Sequence, residues 1–189
     1  MVTKSLLLLC SLFPLSLPQT SFAGPTASPA DEPIPKANVS QDNRPDAEGI
    51  EKIANELIAW LNLPPSAPAP DNLFFPKALF LKLKKVPDPG GYLEQLLVEY
   101  HHNLTKLTKT LPAERPARML RFIPGFCQWK APGSEYNRIA YWSCYRNKVH
   151  MTFGEGEKPK NGILQIRTVI NWGSDWYITH MGTTFALKK

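Results

Sequence analysis

Cys127 and Cys144, with His101, His102, His150 and His180, are the side chains of this sequence best equipped for chemistry. A cysteine beside a histidine could act as a nucleophile, and clustered histidines could hold a metal ion. His101 and His102 are neighbours, so on a helix they point about 100° apart and cannot share one ion as an H-E-x-x-H pair does. His150 and His180 fall in separate strand-like segments and would meet only if those strands paired. No G-x-S-x-G elbow, no Cys-Gly-Ser-Cys-Trp context and no glycine-rich phosphate loop occurs. Paired carboxylates for glycoside chemistry would have to come from Glu135, Glu155, Glu157 or Asp175. The first three fall in loop-like sequence, and Asp175 follows Gly173-Ser174, where an Asp usually bonds its own turn. His150 or His180 working with Asp175 is the one acid–base arrangement left open, as a small secreted enzyme. No catalytic residue, metal ligand or cofactor is assigned.

A disulfide is the better reading of the two cysteines, because the chain begins like an exported protein. Lys4, the apolar run Ser5 to Leu17 and the small residues of Ser21-Phe22-Ala23 form the three parts of a signal peptide, with cleavage expected after Ala23. The run is too short for the roughly 20 residues of a membrane span. Cys10 follows Leu9 rather than a small residue, which argues against lipid attachment there. Removing 1–23 leaves an even pair of cysteines and a secreted or periplasmic destination, for which a bacterial envelope is preferred. Were the source eukaryotic, Asn38-Val39-Ser40 and Asn103-Leu104-Thr105 would be glycosylation sequences.

The elements that must position these groups can be read from periodicity. Residues 24–44 are proline-rich and almost free of large apolar side chains, a disordered tether. Over 45–63, Ile50, Ile53, Ala54, Leu57, Ile58 and Leu61 recur at three- and four-residue steps before Pro64-Pro65, which predicts an amphipathic helix. A second proline-rich linker covers 64–72, leaving the helix to be either a docked arm or part of the core. Residues 76–86 read as a short helix, although Leu79, Leu81 and Leu83 also alternate as in a strand. A longer helix runs from Gly90-Gly91 to about Thr110, with Leu93, Leu96, Leu97, Tyr100, Leu104, Leu107 and Leu111 in one stripe. After Pro116 the sequence turns β-rich, and 12 of the 20 aromatic residues lie between Phe122 and Phe185. Strands are predicted over 119–130, 138–146, 148–154, 163–171 and 175–182. The expected fold is α+β: helices packed on a bent antiparallel sheet of four to five strands, in a domain spanning 73–189.

One register does more than the rest. If 119–130 and 138–146 form a hairpin in which paired numbers sum to 271, Cys127 faces Cys144 and Trp129 faces Trp142. Residues two apart share a face, so a single alignment matches both pairs. Opposed Cα atoms there lie about 4.5–5.5 Å apart, within disulfide range. Pro124-Gly125 should interrupt the first strand with a bulge or bend.

The 189 residues carry a formal net charge of +6, with 43% hydrophobic and 20% charged residues, figures that exclude collagen, a coiled coil and a multi-pass membrane protein. The charge is unevenly placed. Residues 24–75 hold three basic and eight acidic groups, net −5, whereas 76–189 hold eighteen and eight, net +10. Arg115, Arg118 and Arg121 recur every third residue, and Arg138, Arg146, Lys148 and Arg167 sit among Tyr141, Trp142 and Tyr145. A basic aromatic surface could stack single-stranded nucleic acid, but export favours a protein or anionic envelope component, with no nucleic acid and with peripheral membrane contact open. The binding residues expected on this sheet face are Trp142, Tyr145, Arg146, His150, Arg167 and His180.

Helices followed by a bent sheet that ends in Asn171-Trp172-Gly173-Ser174-Asp175-Trp176-Tyr177-Ile178-Thr179-His180 resemble the tail of NTF2-like domains, over about residues 90–182. That resemblance implies a cone whose mouth holds a small ligand or whose sheet docks a partner, and no single activity. The hairpin such domains carry between their early helices is absent here unless 76–86 supplies a strand. Tyr141-Trp142-Ser143-Cys144 with Val149-His150-Met151-Thr152-Phe153 is also similar to small envelope lysozyme inhibitors, which are shorter and lack the helices. The function expected from these readings is that of an exported, non-enzymatic binding protein of the cell envelope.

Overall fold

The computed structural model describes residues 41, 42, 44, 46–155 and 157–187. The leader read over 1–23, with Cys10, lies outside these residues, as does most of the tether, with Asn38. The order of elements is α1 (Glu48–Leu61), α2 (Lys77–Leu83), α3 (Pro89–Thr110), then β1 (Ala117–Ile123), β2 (Phe126–Lys130), β3 (Tyr141–Phe153), β4 (Lys160–Trp172) and β5 (Asp175–Leu187). The fold is α+β, with helices packed against one antiparallel five-stranded sheet ordered β1-β3-β4-β5. β2 also pairs with β3, on the same edge as β1.

α1 buries the six residues of its apolar stripe, and Glu48 and Glu51 sit in its first turn, where the helix dipole favours negative charge. It joins the common core rather than standing apart, touching β1 at one sheet edge and β5 at the other. Its start lies so close to the sheet that a Cβ on Gly49 would stand 2.6 Å from the Trp176 ring. Trp60 Nε1 donates to Pro68 O at 2.7 Å, folding the proline-rich linker back on the helix. α2 begins after Pro76, whose fixed φ suits a helix start, so the segment 76–86 contributes no hairpin. In α3, Asp88 caps the first turn by accepting from the Gly91 N–H at 2.9 Å. Its buried side includes Leu93, Leu96, Tyr100, Leu104 and Leu107, and it packs lengthwise on β5. Asn103 lies on this buried side, 5% exposed.

The sheet meets the register expectation. Cys127 pairs with Cys144 and Trp129 with Trp142. The cysteines form a disulfide across Cα atoms 4.0 Å apart, and the indole rings meet edge to face with centroids 5.6 Å apart. The connection turns at Ser134–Tyr136, where Glu135 and Tyr136 have φ of 50° and 58°. Several strand limits differ from the sequence reading. The first strand divides into β1 and β2 at Pro124-Gly125; 138–146 and 148–154 are one strand, β3; and β4 and β5 extend beyond 163–171 and 175–182. Pairing with neighbours on both sides carries β3 and β4 through residues whose hydropathy alone looks turn-like, and the edge strand β5 follows β4.

The split and the fusion have one cause. The registers on either side of the break match, Ile123 with Lys148 and Phe126 with Tyr145, so two residues on each strand leave the ladder together. Arg146 takes a left-handed φ of 60°. A Cβ on Gly125 would lie 1.6 Å from Tyr145 O, so only glycine allows the backbones to approach this closely. Asn147, fully buried, fills the gap: its Oδ1 accepts from the Gly125 N–H at 3.1 Å, and its Nδ2 donates to Cys144 O and Ile166 O at 3.3 Å each.

Candidate functional site

On β3, the alternation Tyr141, Ser143, Tyr145 points one set of side chains toward the space under α2 and α3. Thr168 and Ile170 on β4 stand opposite Tyr145 and Ser143. His180 of β5 pairs with Thr168, because a shift in the β4–β5 register inserts Thr179 as an extra residue. With Phe80, Tyr92 and Leu96 from the helices, these residues enclose a cleft of about 210 Å³.

Lys84 closes one end of the cleft. The end of α2 is tied to the β2–β3 connection by Lys85 N–H to Tyr136 O at 2.7 Å and Arg138 N–H to Leu83 O at 2.8 Å. The Lys84 ammonium donates to Asn137 Oδ1 at 2.6 Å, Glu135 O at 3.3 Å and Tyr141 Oη at 3.5 Å. All three acceptors are uncharged. Burial lowers the Lys84 pKa from its ordinary value, against the opposing pull of the Glu135 carboxylate. That carboxylate is itself paired with Lys130 at 2.6 Å, and the pairing raises the Lys130 pKa. The Tyr141 hydroxyl is pushed well above its usual range, chiefly by burial. Lys130 Nζ lies 5.6 Å from the Tyr145 ring centroid, and Phe126, 51% exposed, stacks on Tyr145 at 5.1 Å. The cleft is therefore aromatic and hydroxyl-lined, with two ammonium groups against one carboxylate at its end.

His180 is half-buried in the cleft, its Nδ1 3.1 Å from Thr179 Oγ1. Burial lowers its pKa; Glu99 acts in the opposite direction and Arg167 reinforces the lowering. Asp175 stands at the β4–β5 turn, paired with Trp172, and lines another recess with Gly49, Lys52 and Trp176. Five residues of strand, about 16 Å at the usual rise, separate it from His180, so the structure does not bring the two together. Nor do the histidines converge: β3 and β5 both pair with β4 and not with each other, and His150 stands between Arg121 and Ile163. His101 Nε2 meets Asp71 Oδ1 at 2.6 Å. Among the described residues no group of His, Cys, Asp and Glu could hold a metal ion.

Of the six binding residues expected from sequence, the structure unites Tyr145 and His180 in the cleft. Arg146 and Arg167 are exposed, and His150 is half-buried on a face with Lys148 and Thr152. Trp142 packs on Trp129, with Arg44 6.0 Å from its ring centroid. The sequence reading missed Lys84, Ser143 and Thr168. Ser143 was readable from its alternation with the two tyrosines, whereas nothing local distinguishes Lys84 from Lys82 or Lys85. A second recess of about 240 Å³ lies beside the proline linker, lined by Trp60, Leu63, Pro64, Leu111 and Arg115 among others. Comparison of the chain with family models, with curated proteins and with solved structures finds no match.

Proposed function

We propose that this chain is an exported, non-enzymatic binding protein of the cell envelope, and that its cleft seats a small ligand with an aromatic or apolar body and an anionic group. The carrying observation is the Lys84 ammonium, held by three uncharged acceptors at the end of a cleft walled by Tyr141, Tyr145 and Phe80. A positive charge without a carboxylate of its own favours an anion, and the tyrosines offer ring faces and edges to a planar body. The volume of about 210 Å³ is below the roughly 300–1,000 Å³ of drug-sized pockets, which suits a compact ligand or one end of a longer one. The Cys127–Cys144 disulfide is compatible with export. A cleft between helices and an antiparallel sheet also supports the NTF2-like reading, in which the ligand occupies the mouth of the cone, although 76–86 forms a helix in place of the hairpin such domains carry.

The test uses 8-anilinonaphthalene-1-sulfonate, an aromatic anion whose fluorescence reports binding. Affinity should fall about tenfold or more in Lys84→Met, the loss of one charge-assisted hydrogen bond, and also in Tyr145→Ala, with thermal unfolding showing both variants folded. Equal affinity in wild type and both variants would overturn the reading. So would binding lost instead in Trp60→Ala, which places the probe in the recess beside the proline linker.

A further inference from the structure

The four strands β1 to β4 contain seven Lys or Arg residues and no Asp or Glu. Five of the seven, Arg118, Arg121, Arg146, Lys148 and Arg167, are exposed away from the cleft. Their gathering is a product of the sheet's irregularities. Arg118 and Arg121 are three apart and would face opposite ways in a regular strand. The bulge between Met119 and Arg121 sets them opposite Thr152 and His150, which share a face with Lys148. Beyond Lys148, the flanking pairs Tyr145 with Thr168 and Asn147 with Ile166 leave Arg146 across from Arg167.

Like charges in facing positions oppose folding, and a left-handed Arg146 is strained where glycine would not be. Arg118 is paired with Glu155 from the β3–β4 connection. Among the described residues the other four make no ion pair. Ile123 and Ile163, half-buried, lie between them as cross-strand neighbours of Lys148 and His150.

We infer that this face docks the protein on an anionic phospholipid bilayer, the cations meeting headgroup phosphates and the isoleucines the boundary below them. A broad sheet face with no recess of its own among those described suits a planar, multiply charged partner rather than an inserted ligand. Among the described residues no Phe, Tyr or Trp stands between the cations, where the one ring is the half-buried His150, whereas single-stranded nucleic acid stacks successive bases on aromatic rings.

Co-sedimentation of the chain from Gly24 onward, which retains every described residue, tests this with phosphatidylcholine vesicles with and without an equal part of phosphatidylglycerol. Binding should require phosphatidylglycerol, weaken about fivefold for each charge removed, and therefore fall about a hundredfold in the triple variant Arg121→Gln, Lys148→Gln, Arg167→Gln. Lys106→Gln with Lys109→Gln, on the exposed side of α3, should leave it unchanged. Arg146→Gly should weaken binding about fivefold without lowering the thermal midpoint, which separates loss of contact from loss of fold. Binding to phosphatidylcholine alone, a triple variant that binds like wild type, or tighter capture by a thymidine oligonucleotide at the same salt would overturn the proposal. No cleft residue is altered, so failure here is distinct from failure of the ligand reading.

Discussion

Asn147 carries more of this fold than its size suggests. Its amide replaces the ladder bonds lost where Gly125 and Arg146 leave the sheet, and it has no contact with solvent. Asn147→Ala removes all three bonds and strands a buried amide, so it should cost about 2–3 kcal/mol, measured by urea unfolding. Arg146 beside it is the opposite case, a side chain whose backbone conformation disfavours it by about 1–2 kcal/mol relative to glycine. His180 supplies a pH signature. Its folded pKa lies below the ordinary value because burial disfavours the charged ring. Between the folded and unfolded pKa values the unfolded chain binds more protons, so stability rises with pH through that window and is fully present above about 6.5. Acidifying from neutral pH should lower the thermal midpoint, and His180→Gln should flatten that slope; an unchanged slope would show that other groups set it.

Among the elements, the β2–β3 hairpin shows how far alternation alone reaches. Matching cysteines and tryptophans in one register required only residue numbers and the two-residue period, and the bonded pair stands where that register puts it. The bridge closes a sequence separation of 17 residues, for which chain-entropy arguments give about 3 kcal/mol. Replacing both cysteines by serine, or adding reductant, should lower the urea midpoint accordingly. The six-residue stripe of α1 was equally legible, because a helix face needs no knowledge of its partner. The bulges at Leu120 and Thr179 were not. Each depends on which strands pair, and each re-aims a functional side chain, Arg121 in one case and His180 in the other.

The whole molecule behaves as one core. α1 contributes Ile50, Ala54 and Leu57 to the same buried cluster as Met151, Leu164 and Ile178, although a proline-rich linker separates it from α2. A chain starting at Pro64 should therefore lose the single cooperative transition expected of the chain that includes α1. A sharp calorimetric transition in that shortened chain would show α1 to be an independent arm. The charge asymmetry also belongs to this scale. Acids gather before Pro76 and cations after it, and the sheet then carries Arg118, Arg121, Arg146, Lys148 and Arg167 away from the aromatic cleft while Lys84 stays at its end, giving two surfaces with different chemistry. Trp142, Arg146, His150 and Arg167 do not share the cleft with Tyr145 and His180, because successive strand residues project to opposite sides of the sheet.

Local patterning by itself pointed to α1, α3, the β-rich second half and the register that aligns the two cysteines, since each depends on periodicity or on pairs close in the chain, whereas 76–86 read as strand as well as helix. Tertiary structure alone decided the cleft and the cationic face. Lys84 and Tyr141 are 57 residues apart, and they meet because the end of α2 is hydrogen-bonded to the β2–β3 connection. Register shifts invisible in the sequence brought His180 to Thr168 and Arg121 to His150. The physical reason is the same for both surfaces: a strand has a two-residue period, and one inserted residue reverses every side chain beyond it.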